Sequence, residues 1–219
     1  MASENYEDVT SYTMDEDVLQ RLLKEQTELN FMWSTRDHWA VGVFMSYVWR
    51  DGRFWVTLTT QRARMRAIER DPRVSVAVTG VGTSLGTLKS ATAKGRVLVH
   101  DDAETKAWFY PALARRVMPP IAPVRRAFVA LLDSERRVVL EVVPEKWITF
   151  DGSKMQADTM VAMARVAMPE SVGRVAAHFG IEPGEMTRRL VTVMGMDKPG
   201  GLRGPRARVA EALRRIWPP

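Results

Sequence analysis

Apolar and polar positions change period several times along the chain, and each change predicts an element. "DEDVLQRLLKEQTELN" (15–30) places Val18, Leu22, Leu23 and Leu29 near helical spacing behind a group of acids, which predicts a helix over 15–30. "WAVGVFMSYVW" (39–49) alternates like a strand, Asp51-Gly52 is a two-residue turn signal, and "RFWVTLT" (53–59) returns as the partner strand of a hairpin. On that second strand Phe54, Val56 and Leu58 form one face, expected in the core. Trp55, Thr57 and Thr59 form the other, free to line a site.

A short helix is predicted from Ala63 to Arg70, capped by Thr59 or Thr60 and ended at Asp71-Pro72. "RVSVAVTG" (73–80) and "LKSATAKGRVLVHD" (88–101) read as two further strands. Gly95, inside the second, predicts a bulge or a close backbone approach. "DAETKAWFYPALARRV" (102–117) reads as a helix that Pro111 kinks or divides, and "RRVVLEVVPEKWITFDG" (136–152) as two strands broken at Pro144. The expected fold class is mainly β (α+β): a closed or split barrel of about six mostly antiparallel strands with short helices between them. The expected organisation is an acidic tail (1–14), a barrel domain (15–152) and a basic helical extension (153–219) that ends in an amphipathic helix.

Composition narrows the function classes. There is no cysteine, so disulfides, thiolate catalysis and Cys-ligated metals are excluded. No apolar run is long enough to span a membrane, and residues 1–17 carry six acids and no Lys or Arg, unlike a signal peptide; a cytoplasmic location is expected. The net charge is +6, and from Met160 onward ten Lys/Arg stand against five Asp/Glu. A nucleic-acid partner for that region is conceivable, and "SVGRVAAHFGIEPGEMTRRL" (171–190) has a helix, a Gly180 turn and a second helix. A basic solvated tail or a packing appendage is the favoured reading. His38, His100 and His178 form no metal-ligand spacing, and "GVGTSLG" (80–86) lacks the GxGxxG pattern, which leaves a loop.

The densest chemistry is "LTTQRARMRAI" (58–68), where Arg62, Arg64 and Arg66 cluster at the start of the short helix. A helix N-terminus has unpaired N–H groups and partial positive charge, and arginine adds bidentate, charge-assisted bonds, so a phosphate is the expected ligand. In a full helix Arg62 and Arg66 would share a face and Arg64 would point elsewhere. Arg62 and Arg64 are the expected binders, with Thr59, Thr60 and Gln61 as further donors and Arg66 solvated or paired with Glu69. Solvated surface arginines are the alternative.

The hairpin "VWRDGRFWVTLT", the basic helix, "RDPRVSVAV" and the strand with "KGRVLV", in that order over roughly residues 15–150, resemble the pyridoxamine 5′-phosphate oxidase-like group of split-barrel flavin and deazaflavin oxidoreductases. In that group a Lys or Arg stands eight residues before an Asn/Asp-Pro pair, here Arg64 before Asp71-Pro72. The resemblance implies FMN, or alternatively the deazaflavin F420, at a homodimer interface, with its phosphate at the helix that Arg64 opens. It implies a ring lying along Met45, Ser46, Tyr47 and Val48 and bordered by Trp55, Thr57 and Leu58, with Lys94 and Trp108 approaching from the partner subunit. Lys94 also reads as a rim charge, Trp108-Phe109-Tyr110 as core or dimer packing, and Trp147 as barrel-end filling in preference to stacking near the ring. Haem, held by some split-barrel proteins, is disfavoured; the alternative to an oxidoreductase acting on an unidentified small molecule is a non-catalytic module that binds a flavin, haem or nucleic acid. Ala40, Val41 and Gly42 stand where the oxidases place a further phosphate-binding arginine, and their substrate-binding arginine segment is missing. Oxidation of pyridoxamine phosphate itself is therefore not expected, and no catalytic acid or base stands out.

Overall fold

The computed structural model describes residues 8–167 and 169–193. Its centre is one seven-stranded antiparallel sheet: β1 (Glu28–Ser34), β2 (Ala40–Ser46), β3 (Val48–Arg50), β4 (Arg53–Thr59), β5 (Arg73–Thr79), β6 (Lys89–His100) and β7 (Arg137–Asp151). The order across the sheet is β2-β1-β5-β6-β7-β4-β3. The two edge strands, β2 and β3, are consecutive in the chain and separated only by Tyr47. One residue spans about 3.8 Å between α-carbons, so the sheet must curl until its edges nearly meet. The fold is therefore a curled, half-barrel α+β sheet.

The curl has its own side-chain logic. Phe31, Phe54, Val56, Val76 and Leu140 are fully buried along the strands. On β6 three of the four buried residues are small, Ala91, Ala93 and Gly95, and the fourth is Val97. A β-carbon on Gly95 would drive into the Val143 carbonyl of β7. The close backbone approach expected of Gly95 is what the structure has. At the seam, buried Tyr47 donates from its hydroxyl to the Leu23 carbonyl at 2.9 Å and lies 5.3 Å from the Phe54 ring. Burial pushes its phenol pKa up.

The predicted hairpin is altered in one respect. Only β3 pairs with β4, over Val48↔Trp55, Trp49↔Phe54 and Arg50↔Arg53, across an Asp51-Gly52 turn in which both residues have positive φ (55° and 75°). The rest of the predicted strand, β2, pairs instead with β1. The start of that strand overlaps the predicted 15–30 helix: α1 (Glu16–Glu25) stops at Glu25, and β1 begins at Glu28. At the changeover Gln26 donates to the Thr79 and Val81 carbonyls, which ties the chain to the end of β5. β7 is also one strand rather than two, since Pro144 is accommodated within it.

Helix α2 (Ala63–Arg70) has the predicted span, but Arg62 rather than a threonine is its N-cap, with extended φ/ψ (−68°, 138°) and no side-chain cap. α3 (Ala103–Val117) runs through Pro111 without dividing, capped by Asp102 on the Thr105 N–H. α4 (Ala122–Leu132), which the sequence reading did not anticipate, packs beside it. Together they cover the outer face of β4 and β7, where Val139, Val48, Phe109, Tyr110, Leu113 and Leu132 form a second core. That coverage explains why Val138 to Val142 are buried in unbroken sequence.

The chain divides into two compact units, residues 15–85 with 90–149, and a second made of 1–14, 86–89 and 150–219. In the second, α5 (Gly152–Ala167), α6 (Pro169–Phe179) and α7 (Pro183–Val193) pack on one another. Lys89 and Asp151 form a buried pair at 2.6 Å. The predicted last amphipathic helix lies outside the described residues.

Candidate anion site at the start of α2

The β4–β7 register sets the site. Thr57 pairs with Val139 and Thr59 with Arg137, so the half-buried threonines and Arg137 share the outer face while Leu58 turns inward and is buried. Beyond Thr59 the chain folds back: the Arg62 N–H donates to the Thr59 carbonyl at 3.1 Å, and α2 starts at the next residue. The result is a cavity of about 280 Å³ lined by Thr57, Leu58 and Thr59 of β4, Met45 and Ser46 of β2, Arg62 and Arg64, and Arg137 of β7. Leu113, Phe128 and Leu132 of α3 and α4 close its apolar side.

Three arginines therefore line one cavity, and no carboxylate is among its lining residues. The Nε atoms of Arg64 and Arg137 are buried and have no hydrogen-bond partner. Burial, and then the neighbouring Arg62 charge, lower the Arg64 pKa from its ordinary value. A buried, unpartnered donor costs on the order of 1–3 kcal/mol, more when it is charged. Both Nε atoms belong to residues that line an acid-free cavity, a combination whose chemistry suits an anion.

The helical-wheel objection to pairing Arg62 with Arg64 disappears because Arg62 is not helical. As an extended N-cap it is free of the 100° spacing, and both side chains reach the cavity. Arg66 is exposed. Seven of the residues singled out in sequence thus line one cavity: Met45, Ser46, Thr57, Leu58, Thr59, Arg62 and Arg64.

The other seven lie elsewhere. Tyr47 and Val48 are buried in the seam and the second core. The Thr60 N–H donates to the Arg136 carbonyl at 2.8 Å, and the Gln61 amide faces the Arg136 guanidinium. Trp55 and Trp108 stack edge-on at 4.8 Å, with Arg50 lying 4.3 Å over Trp108. Lys94 is exposed on β6. Trp147 packs on Trp49 and Phe54, as barrel-end filling requires. Arg137 was missed because its only sequence signal was its place at the start of a strand; the register with Thr59 brings it in.

The fold is shared with solved structures. The conserved hypothetical protein Rv2991 from Mycobacterium tuberculosis superposes with a TM-score of 0.58 at 17% identity, over 66% of this chain and 89% of that one. The likeness is one of fold alone. Looser matches include an F420 reductase (TM-score 0.45, 22% identity, 58% of this chain and 93% of that one). Another is the haem storage protein HutZ from Vibrio cholerae (TM-score 0.48, 12% identity, 62% and 94%). No family model and no curated protein matches the sequence.

Proposed function

We propose that this chain is an oxidoreductase that binds a flavin or deazaflavin, FMN or F420, and holds the cofactor's phosphate in the cavity between Arg62 and Arg64. The observation that carries this reading is that Arg62, Arg64 and Arg137 line one acid-free cavity at an uncapped helix N-terminus, with the Arg64 Nε buried and unpartnered. The residues present fit a phosphate chemically. Arginine forks match phosphate oxygens, the first-turn N–H groups of α2 point outward from the helix end, and Ser46 and Thr59 offer hydroxyl groups, while that of Thr57 already donates to the Val138 carbonyl at 2.8 Å. When bound, the cofactor ring supplies the hydride chemistry, and the chain supplies binding, orientation and exclusion of water. The sequence resemblance to split-barrel flavin and deazaflavin oxidoreductases supports the same reading. A homodimer belongs to it, and exposed Phe44, Leu98 and Ile148 on the sheet are apolar surface that a second copy could cover.

The test is the absorption spectrum of the chain purified from a host that makes both FMN and F420, with mass analysis of whatever denaturation releases. A flavin or deazaflavin band with the matching mass supports the proposal. A protein that is colourless and takes up neither cofactor when each is added overturns it.

A further inference from the structure

We infer that Arg137, which no sequence motif marks, is the third anchor of this anion site, and that it makes the cavity select a phosphate monoester over a diester. The inference rests on the reading of the cavity as a phosphate site and goes on to specify the phosphate. Arg62 and Arg64 approach from the start of α2; Arg137 approaches from the first residue of β7. The Thr59↔Arg137 pairing fixes that second direction, and the Arg137 N–H is held by the Ser134 carbonyl at 3.0 Å, so the strand start is not loose.

The Arg137 Nε is buried without a partner, in the same condition as that of Arg64. Asp133 and Glu135 are its acidic sequence neighbours, yet both are exposed, and neither lines the cavity. Three cations face whatever enters. A phosphate monoester carries a charge of roughly −1.5 to −2 at neutral pH, with three terminal oxygens for donors on several sides. A diester carries a single charge and only two free oxygens, which leaves more cationic charge unmatched and one direction of approach blocked by its second ester arm. The arrangement therefore fits the terminal phosphate of FMN better than the internal phosphodiester of F420.

The experiment measures dissociation constants for FMN, riboflavin and F420 by flavin fluorescence and absorbance, on the full chain and on Arg137→Met and Arg137→Lys. The expected result is FMN bound more tightly than riboflavin and F420. Arg137→Met should shrink the FMN-to-riboflavin ratio on the order of 30-fold, and Arg137→Lys should restore part of it, because a point charge replaces the fork without its geometry. Riboflavin affinity, which involves no phosphate, should stay unchanged and so shows that the variant is folded.

An unaltered FMN-to-riboflavin ratio in Arg137→Met would overturn the inference, as would tighter binding of F420 than of FMN. Should neither cofactor bind, the flavin reading fails by itself, and inorganic phosphate decides about Arg137. A rise in melting temperature with phosphate that Arg137→Met abolishes still supports the anchor, and no rise with phosphate ends it.

Discussion

The outer face of the β4–β7 pair carries arginine at both ends, and the two ends treat it oppositely. At one end Arg53 donates to Glu141, a carboxylate with only 5% of its side chain exposed. The other Glu141 oxygen meets the His100 Nε2 at 2.7 Å, and Asp102 stands 3.7 Å from the Nδ1. Trp55 packs on both His100 and Trp108. At the other end, four residues along β7, Arg137 joins Arg62 and Arg64 with no carboxylate in the cavity they line. The strands, the register and the covering helices are shared. Charge is matched internally where the fold needs a closed wall and left unmatched where a ligand would complete it. A half-buried arginine with a buried, unpartnered Nε is costly, so its presence on the same face as a paired arginine favours a binding role.

Substitutions that break each end separate these roles. The largest stability change belongs to the paired end. Glu141→Leu strands Arg53 and His100 and should lower unfolding stability by about 2 kcal/mol in urea denaturation. That is less than a fully buried pair would lose, because Arg53 can turn to water. Cofactor affinity should be unaffected. Arg64→Met at the unpaired end should do the reverse: unfolding stability without ligand should hold or rise by up to about 1 kcal/mol, since an unmatched guanidinium is removed. A loss as large as that of Glu141→Leu would mean that Arg64 is structural after all.

The smallest effect sharpens the comparison at a third, exposed place. Hydrogen bonds from Ser84, and next from Arg21, lower the Glu25 pKa to about 2 from an ordinary 4.5. The folded value is depressed, so the stabilisation is present above the ordinary value and is lost as pH falls from 4.5 through 2. A Glu25 side-chain titration by NMR should show a midpoint near 2, and Ser84→Ala should move it upward toward the ordinary value. An ordinary midpoint in the unsubstituted chain would show that this matching is absent in solution.

Much of this was legible in the sequence because the signals were local. Asp51-Gly52 specified its turn, Gly95 its close approach, and the Phe54-Val56-Leu58 alternation its buried face. The basic cluster around Arg64 located the cavity. What escaped depends on partners distant in sequence. The first three residues of β1, Glu28 to Asn30, read as helix because Leu29 continues the spacing of Leu22 and Leu23, and only the strand's pairing with β2 and β5 overrides that. The strand from 39 to 49 looked continuous, because nothing in its alternation shows that Tyr47 turns it from one sheet edge to the other. Tyr47 and Val48, which the family resemblance would set along a ring, are both buried. Arg137 enters only through a strand pairing across 78 residues, Thr59 to Arg137. Local chemistry was readable; the register that assembles it was not.

The most direct test of the central claim is the affinity of Arg64→Ala for FMN and for riboflavin, each compared with the unsubstituted chain by fluorescence titration at fixed ionic strength. FMN affinity should fall on the order of 100-fold, riboflavin affinity should stay level, and the FMN loss should shrink as salt is raised. Undiminished FMN affinity in Arg64→Ala, or an equal loss for both ligands, would contradict the assignment of this cavity to the cofactor's phosphate.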